Sequence, residues 1–245
     1  MSVIREVLDG VTRLPHDWHG AGSLAPDVLE AIADHAGRRR IRRTAETGTG
    51  KSTLVFSHLS PHHTVFAVDD TASGDSLPQV KGSDLLRTES VEFVLGPTQQ
   101  TLPAHSFVEP LQVVLLDGPH AYPFPELEYY YFYPHLDRDA LLIVDDIHIP
   151  TIFRLFEFLN EDEMFDRLGV IRTTAFFRRN DTPTFNPVQD GWWLQGYNKR
   201  RFPVQHPPRG RSWSRRVLDR LPDPAQRAAR ATRAIWRSMG SRRTG

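Results

Sequence analysis

The chain has 245 residues, 39% hydrophobic and 24% charged, with a formal net charge of zero. That composition at that length fits one α/β domain with additions, and excludes a wholly disordered chain, a collagen and a small disulfide scaffold. With no cysteine, the chain has no disulfide, thiolate zinc site or cysteine nucleophile. The longest apolar run, residues 140–144, is far too short to span a bilayer. Arg5, Glu6 and Asp9 near the start are unlike a secretory signal, so a cytoplasmic location is the default expectation.

The zero charge hides a split. Residues 196–245 hold 14 of the 30 basic residues and only two acids, Asp219 and Asp223, so the body is acidic by the same margin. Residues 1–23 are mixed and carry a polar, aromatic patch, His16-Asp17-Trp18-His19-Gly20. They are expected to form an N-terminal segment acting as a lid on the acceptor side. Ser23, Pro26 and the spacing of Leu24, Val28, Leu29, Ile32, Ala33 and Ala36 predict a helix ended by Gly37.

From there, short apolar strands alternate with helices. Strands are predicted at 41–46, 64–69, 91–95, 111–117 and 140–145. Helices are predicted at 52–59, 125–136 and 151–160, with a short one before Leu86. The alternation implies a doubly wound, mostly parallel, Rossmann-like α/β sheet with helices on both faces. Residues 168–179 and 191–198 read as two further strands joined by a Pro/Asn/Asp-rich loop. Their antiparallel hairpin would close one edge of a seven-stranded sheet. Residues 24–202 are expected to form this domain, and 203–245 a basic, helical tail. In the tail, 225–239 reads as an amphipathic helix with Ile235, Trp236 and Met239 on one side and Arg227, Arg230, Arg233 and Arg237 mostly on the other.

Residues 45–52, Ala45-Glu46-Thr47-Gly48-Thr49-Gly50-Lys51-Ser52, nearly fit a phosphate loop, although its first glycine is replaced by Ala45. Strand ends at Asp117 and Asp145 could then supply magnesium aspartates, and an ATP- or GTP-binding protein using Lys51 and Ser52 is a rival reading. The same residues also read as Glu46-x-Gly-x-Gly-x-Ser closing the first strand, where Gly48 and Gly50 let the backbone approach a nucleoside closely. An acid ending the next strand should then hold ribose hydroxyls; Asp69 stands there, with Asp70 beside it.

The stretch Leu115-Leu116-Asp117-Gly118-Pro119-His120 and the stretch Ile143-Val144-Asp145-Asp146-Ile147-His148 place carboxylates at the ends of two neighbouring strands. Ligands bind at that edge of open α/β sheets. Asp117, Asp145 and Asp146 could converge on a hard cation of the magnesium type. They could instead cap and brace turns, since Asp is a favoured N-cap.

In this order the motifs resemble the class I S-adenosylmethionine-dependent methyltransferases, and within them the metal-dependent O-methyltransferases of the catechol and macrocin types. The resemblance covers about residues 24–200 and rests on Glu46-Thr47-Gly48-Thr49-Gly50-Lys51-Ser52, Asp69, Asp117-Gly118-Pro119-His120 and Asp145-Asp146. It departs at 136–140, where the family usually carries a Gly-Gly turn, and at Lys51. It implies that Glu46, Thr47, Gly48, Gly50, Ser52, Asp69, Asp70, Thr98, Gln99 and Asp117 hold S-adenosylmethionine, with Thr98 and Gln99 at the adenine. It implies a magnesium-like cation on Asp117, Asp145 and Asp146. It also implies methyl transfer to a hydroxyl of a small molecule or saccharide, with His120 as the base and His148 as a second candidate. A neutral imidazole at pH 7 suits that task. A non-catalytic relative of the fold is the remaining alternative.

Five of the six tyrosines fall between Tyr122 and Tyr133. They read either as core packing or as a stacking wall for an acceptor. The tail reads as a helix docking on the acidic body or on a second copy, or as an interfacial helix at anionic lipid, which would put the protein at the inner membrane face. Nucleic acid is not the expected partner, because no recognisable nucleic-acid module accompanies the charge.

Overall fold

Strand β4 (Leu111–Leu116) is buried at every residue. A strand buried on both faces must lie inside a sheet covered on both sides. The computed structural model describes residues 3–15, 18, 22–69, 76–186 and 191–201, and places β4 at the centre of seven strands. The others are β1 (Arg43–Thr47), β2 (His62–Ala67), β3 (Val91–Leu95), β5 (Leu136–Val144), β6 (Phe165–Ile171) and β7 (Thr174–Arg179). Their order is β3-β2-β1-β4-β5-β7-β6, with the first five parallel and β7 antiparallel to both β5 and β6.

Successive strand residues face opposite sides, which divides the core in two. Val114, Leu116, Leu142 and Val144 pack under α6 (Phe124–Phe132) and α7 (Pro150–Glu161). Val113, Leu115, Leu141 and Ile143 pack under α1 (Val3–Arg13), α2 (Pro26–Ala36) and α3 (Lys51–Leu59). Short helices α4 (Ser76–Lys81) and α5 (Thr98–Ala104) follow β2 and β3. The aromatic run is mainly core: Tyr129, Phe132 and Tyr133 are buried, while Tyr122 and Tyr130 are exposed.

The chain divides into two units, 1–197 and 198–245. The first carries the sheet. Of the second, the described residues are 198–201, at the end of α8 (Gly196–Arg201). The linker and basic helix expected over 203–245 lie outside the described residues, as does Asp70. No helix among the described residues is long and apolar enough to cross a membrane.

The closing hairpin differs from expectation. Residues 168–179 are not one strand but most of two, and Ile171 pairs with Thr174 across the turn residues Arg172 and Thr173. Two-residue hairpin turns need positive φ, a role usually given to Gly or Asn. Here Arg172 supplies it at φ 52, so no glycine or asparagine marks the turn. Residues 191–198 form a 3-10 turn (Trp192–Leu194) and the start of α8 rather than a strand. The polar loop after β7 is held instead by Arg179, which donates to Thr184 Oγ1, and by Asn180, whose Nδ2 donates to the Glu163 carbonyl just before β6.

Helix α1 was not expected as an element. Val7, Leu8 and Val11 form its buried stripe, which packs on α3. The segment expected as a lid therefore begins as part of the core. Replacing Leu8 with alanine is expected to cost about 2–5 kcal/mol in urea unfolding, as for a core leucine; a loss under about 0.5 kcal/mol would show α1 to be surface.

Candidate active site

The C-terminal ends of β1, β4 and β5 open into a cavity of about 610 Å³. Its walls include Gly48 after β1, Asp117 to His120 after β4, and Asp145 and Asp146 after β5. Thr98 and the turn residues Arg172 and Thr173 also line it. Gly48 has φ +86, and a Cβ there would lie 2.4 Å from the Asp117 carbonyl oxygen. Only glycine meets both conditions.

The turn from Asp117 to His120 is held from behind by Glu128 of α6. Thr47 Oγ1 donates to Glu128 Oε2 at 2.8 Å and accepts the Asp117 backbone N–H at 3.1 Å. A Cβ on Gly118 would fall 2.2 Å from Glu128 Oε1, so the carboxyl group lies directly against the turn. Glu128 is 1% exposed. Burial pushes its carboxyl up to about 7, against the lowering effect of the Thr47 hydrogen bond. Its place directly before the aromatic run Tyr129-Tyr130-Tyr131-Phe132 was the one sign of it in the sequence.

Three ligand atoms, one each from Asp117, His120 and Asp146, lie within 4.8 Å of one another. His120 Nε2 is 3.4 Å from Asp146 Oδ2 and 3.9 Å from Asp117 Oδ1. His148 Nδ1 approaches Asp146 Oδ1 from the solvent side at 3.5 Å. Asp117 is pushed up to about 7, first by its desolvated position in the cavity wall and then by the charges of Asp145 and Asp146, while His120 draws it down. The Asp117 carboxylate in turn raises His120 above the usual imidazole value, outweighing burial, with Asp146 and Asp145 adding to it. Asp146 adopts φ 54, a conformation Asp tolerates better than most residues.

Asp145 is placed differently. Its Oδ1 accepts from Thr174 Oγ1 of β7 at 2.5 Å, and it stands outside the three-atom cluster.

The remaining expected cofactor residues divide. Gly48, Thr98 and Asp117 line the cavity, whereas Glu46, Thr47, Gly50, Ser52, Asp69 and Gln99 do not. Glu46 is fully buried; its Oε1 accepts from Thr53 Oγ1 and pairs with His63 Nε2 at 3.1 Å. His63 Nδ1 continues the chain to Thr44 Oγ1 at 2.9 Å. Gly50 N–H donates to Thr53 Oγ1. Ser52 is buried, and Asp69 and Gln99 are exposed.

Lys51, the residue that kept the phosphate-loop reading open, turns away from the cavity. Its Nζ donates to the carbonyls of Pro15 at 2.9 Å and Leu14 at 3.3 Å, just past the end of α1. In a phosphate loop that lysine must reach the bound phosphates.

Residues 45–147 match the family described as a methyltransferase domain. No curated protein matches in sequence. Solved structures match in fold. The cofactor-bound protein Rv0187 from MTB has a TM-score of 0.55 and 17% identity, over 73% of this chain and 88% of that one. The O-methyltransferase TomG from Streptomyces achromogenes, involved in tomaymycin synthesis and in complex with S-adenosylmethionine, has a TM-score of 0.54 and 14% identity, over 71% and 90%. An O-methyltransferase from Bacillus cereus in complex with S-adenosylhomocysteine has a TM-score of 0.52 and 14% identity, over 72% and 90%.

Glu128 links this site to pH. Its carboxyl titrates higher in the folded chain than in the unfolded one, so the folded state is favoured at low pH. That advantage is lost as pH rises from about 4.5 through about 7. Glu128→Gln mimics the protonated form. The variant is expected to match the wild type in melting temperature at pH 5 and to exceed it at pH 8. A constant difference between the two across that range would contradict this account.

Proposed function

We propose that this chain, in which residues 45–147 match a methyltransferase domain, is a class I S-adenosylmethionine-dependent methyltransferase that methylates a hydroxyl oxygen of a small molecule or saccharide with the help of a divalent cation. The observation that carries this reading is the convergence of Asp117, His120 and Asp146 on the wall of the cavity at the sheet edge. Overall, the donor sulfur loses its methyl group to the acceptor oxygen, and the hydroxyl proton goes to a base.

The residues fit both groups. Gly48, Thr98 and the Asp117–Gly118 turn would hold the nucleoside end of the donor. Backbone approach at Gly48, and the place of Thr98 on the cavity wall, suit that role. Asp117 and Asp146 would hold the cation, because a hard cation prefers carboxylate oxygen to imidazole nitrogen. Bound there, it would lower the acceptor hydroxyl's pKa and orient it.

That leaves His120 Nε2 to accept the proton. The imidazolium forms beside two carboxylates, which stabilise it by charge. Thr151 Oγ1 donates to the His120 carbonyl and ties this loop to α7. If His120 instead completes the cation's ligand set, as the three-atom cluster allows, His148 is the remaining base beside Asp146.

Calorimetric titration with S-adenosylhomocysteine and with ATP, each with and without magnesium, tests the donor. Binding of the nucleoside sulfide and silence with ATP are expected. Magnesium-dependent ATP binding alone would overturn the reading. His120→Ala is expected to lower turnover by about 10²–10⁴-fold with affinity for S-adenosylhomocysteine retained; unchanged turnover would remove His120 as base. Full activity in excess chelator would refute the cation.

A further inference from the structure

The cavity is strongly one-signed at its reacting end, where Asp117, Asp145 and Asp146 line the wall. Among the described lining residues, one side chain is a lysine or arginine: Arg172, in the β6–β7 turn. Its backbone sits at φ 52, a conformation that costs an arginine energy a glycine would not lose. A long cationic side chain at a strained position calls for a use of that side chain.

The turn carrying Arg172 is locked to the reacting end. Ile147 N–H donates to the Thr173 carbonyl at 2.9 Å, and Thr174 Oγ1 donates to Asp145 at 2.5 Å. Arg172 therefore stands at a set displacement from the acids, two residues from Thr174. Its Nε donates to both carboxylate oxygens of Asp27 on α2, each at 2.8 Å. That bond steadies the guanidinium while leaving Nη1 and Nη2 without a partner among the described residues. A planar pair of N–H donors matches a carboxylate or phosphate in two-point geometry.

We propose that Arg172 is a specificity-determining residue that selects acceptors bearing an anionic group, a carboxylate or a phosphate, on the same molecule as the hydroxyl to be methylated. This deepens the methyltransferase reading and rests on it. The charge layout gives the acceptor one orientation. Its anion is held by Arg172 in the β6–β7 turn, and its hydroxyl end is left to face His120 and the acids that would hold the cation. The donor's own carboxylate shares this chemistry, so the test must separate the two sources.

The probes are 3,4-dihydroxybenzoate and its neutral twin 3,4-dihydroxybenzamide, titrated by calorimetry into the full chain saturated with S-adenosylhomocysteine and magnesium. The wild type is expected to bind the acid about tenfold more tightly than the amide. Arg172→Gln should erase that preference and Arg172→Lys should keep part of it. Asp27→Asn, which removes the competing carboxylate, should strengthen it. Affinity for S-adenosylhomocysteine should be the same in all four proteins. Equal binding of acid and amide by the wild type, binding of neither, or a preference that survives Arg172→Gln would overturn the proposal. A fall in S-adenosylhomocysteine affinity in Arg172→Gln would also overturn it, by assigning the guanidinium to the donor. If the wild type does not bind S-adenosylhomocysteine at all, the methyltransferase reading itself fails, and the first titration shows this separately.

Discussion

The site depends on how closely β1 and β4 come together at their C-terminal ends. The chain leaving β1 passes so near the Asp117 carbonyl that position 48 has no room for a Cβ. Once the two backbones meet there, Thr47 can bridge them, accepting the Asp117 N–H and donating to Glu128. The turn carrying Asp117 and His120 is thus fixed on its inner side by one hydroxyl and one buried carboxyl. Parallel strands place such ends together by topology, and the missing side chain of Gly48 determines how tightly.

Behind this contact lies a buried polar layer whose groups mostly satisfy one another. Thr44, His63, Glu46 and Thr53 run in sequence between β1, β2 and α3. An isolated buried carboxylate costs several kcal/mol, and such groups are retained when their partners are built in. Lys51 follows the same logic on the other side of α3. Desolvation lowers its ammonium pKa, and the Leu14 and Pro15 carbonyls just past α1 compensate it. A residue that reads as a phosphate ligand is used to fasten an N-terminal helix to the core.

The two neighbouring aspartates after β5 divide their work by backbone conformation. Asp145 keeps its N–H on the Leu116 carbonyl of β4 and is engaged by Thr174 of β7. Asp146, at φ 54, swings its carboxylate towards His120 and His148. The hairpin that closes the sheet is thus part of the site, since it braces Asp145 and sets Arg172 on the cavity wall.

Much of this was legible in the sequence because it depends on local pattern. Runs such as Val113-Val114-Leu115-Leu116 must be buried on both faces, and alternation with helices then demands a parallel sheet. Glycines and acids at strand ends marked the ligand edge for the same reason, and Gly48, Thr98, Asp117, His120 and Asp146 do meet there. Other features came only from the tertiary structure, because they depend on which distant groups become neighbours. Nothing local in Lys51 says that its ammonium will face the end of α1, nor in Glu128 that it will brace Gly118 from another helix. Arg172 carries no turn signal, since its strained φ is imposed by the pairing of β6 with β7. Sequence alone determined the fold class and the sheet edge at which the cavity opens. Side-chain roles were set by long-range packing, because a buried polar group must take whatever partner the fold brings within hydrogen-bond reach.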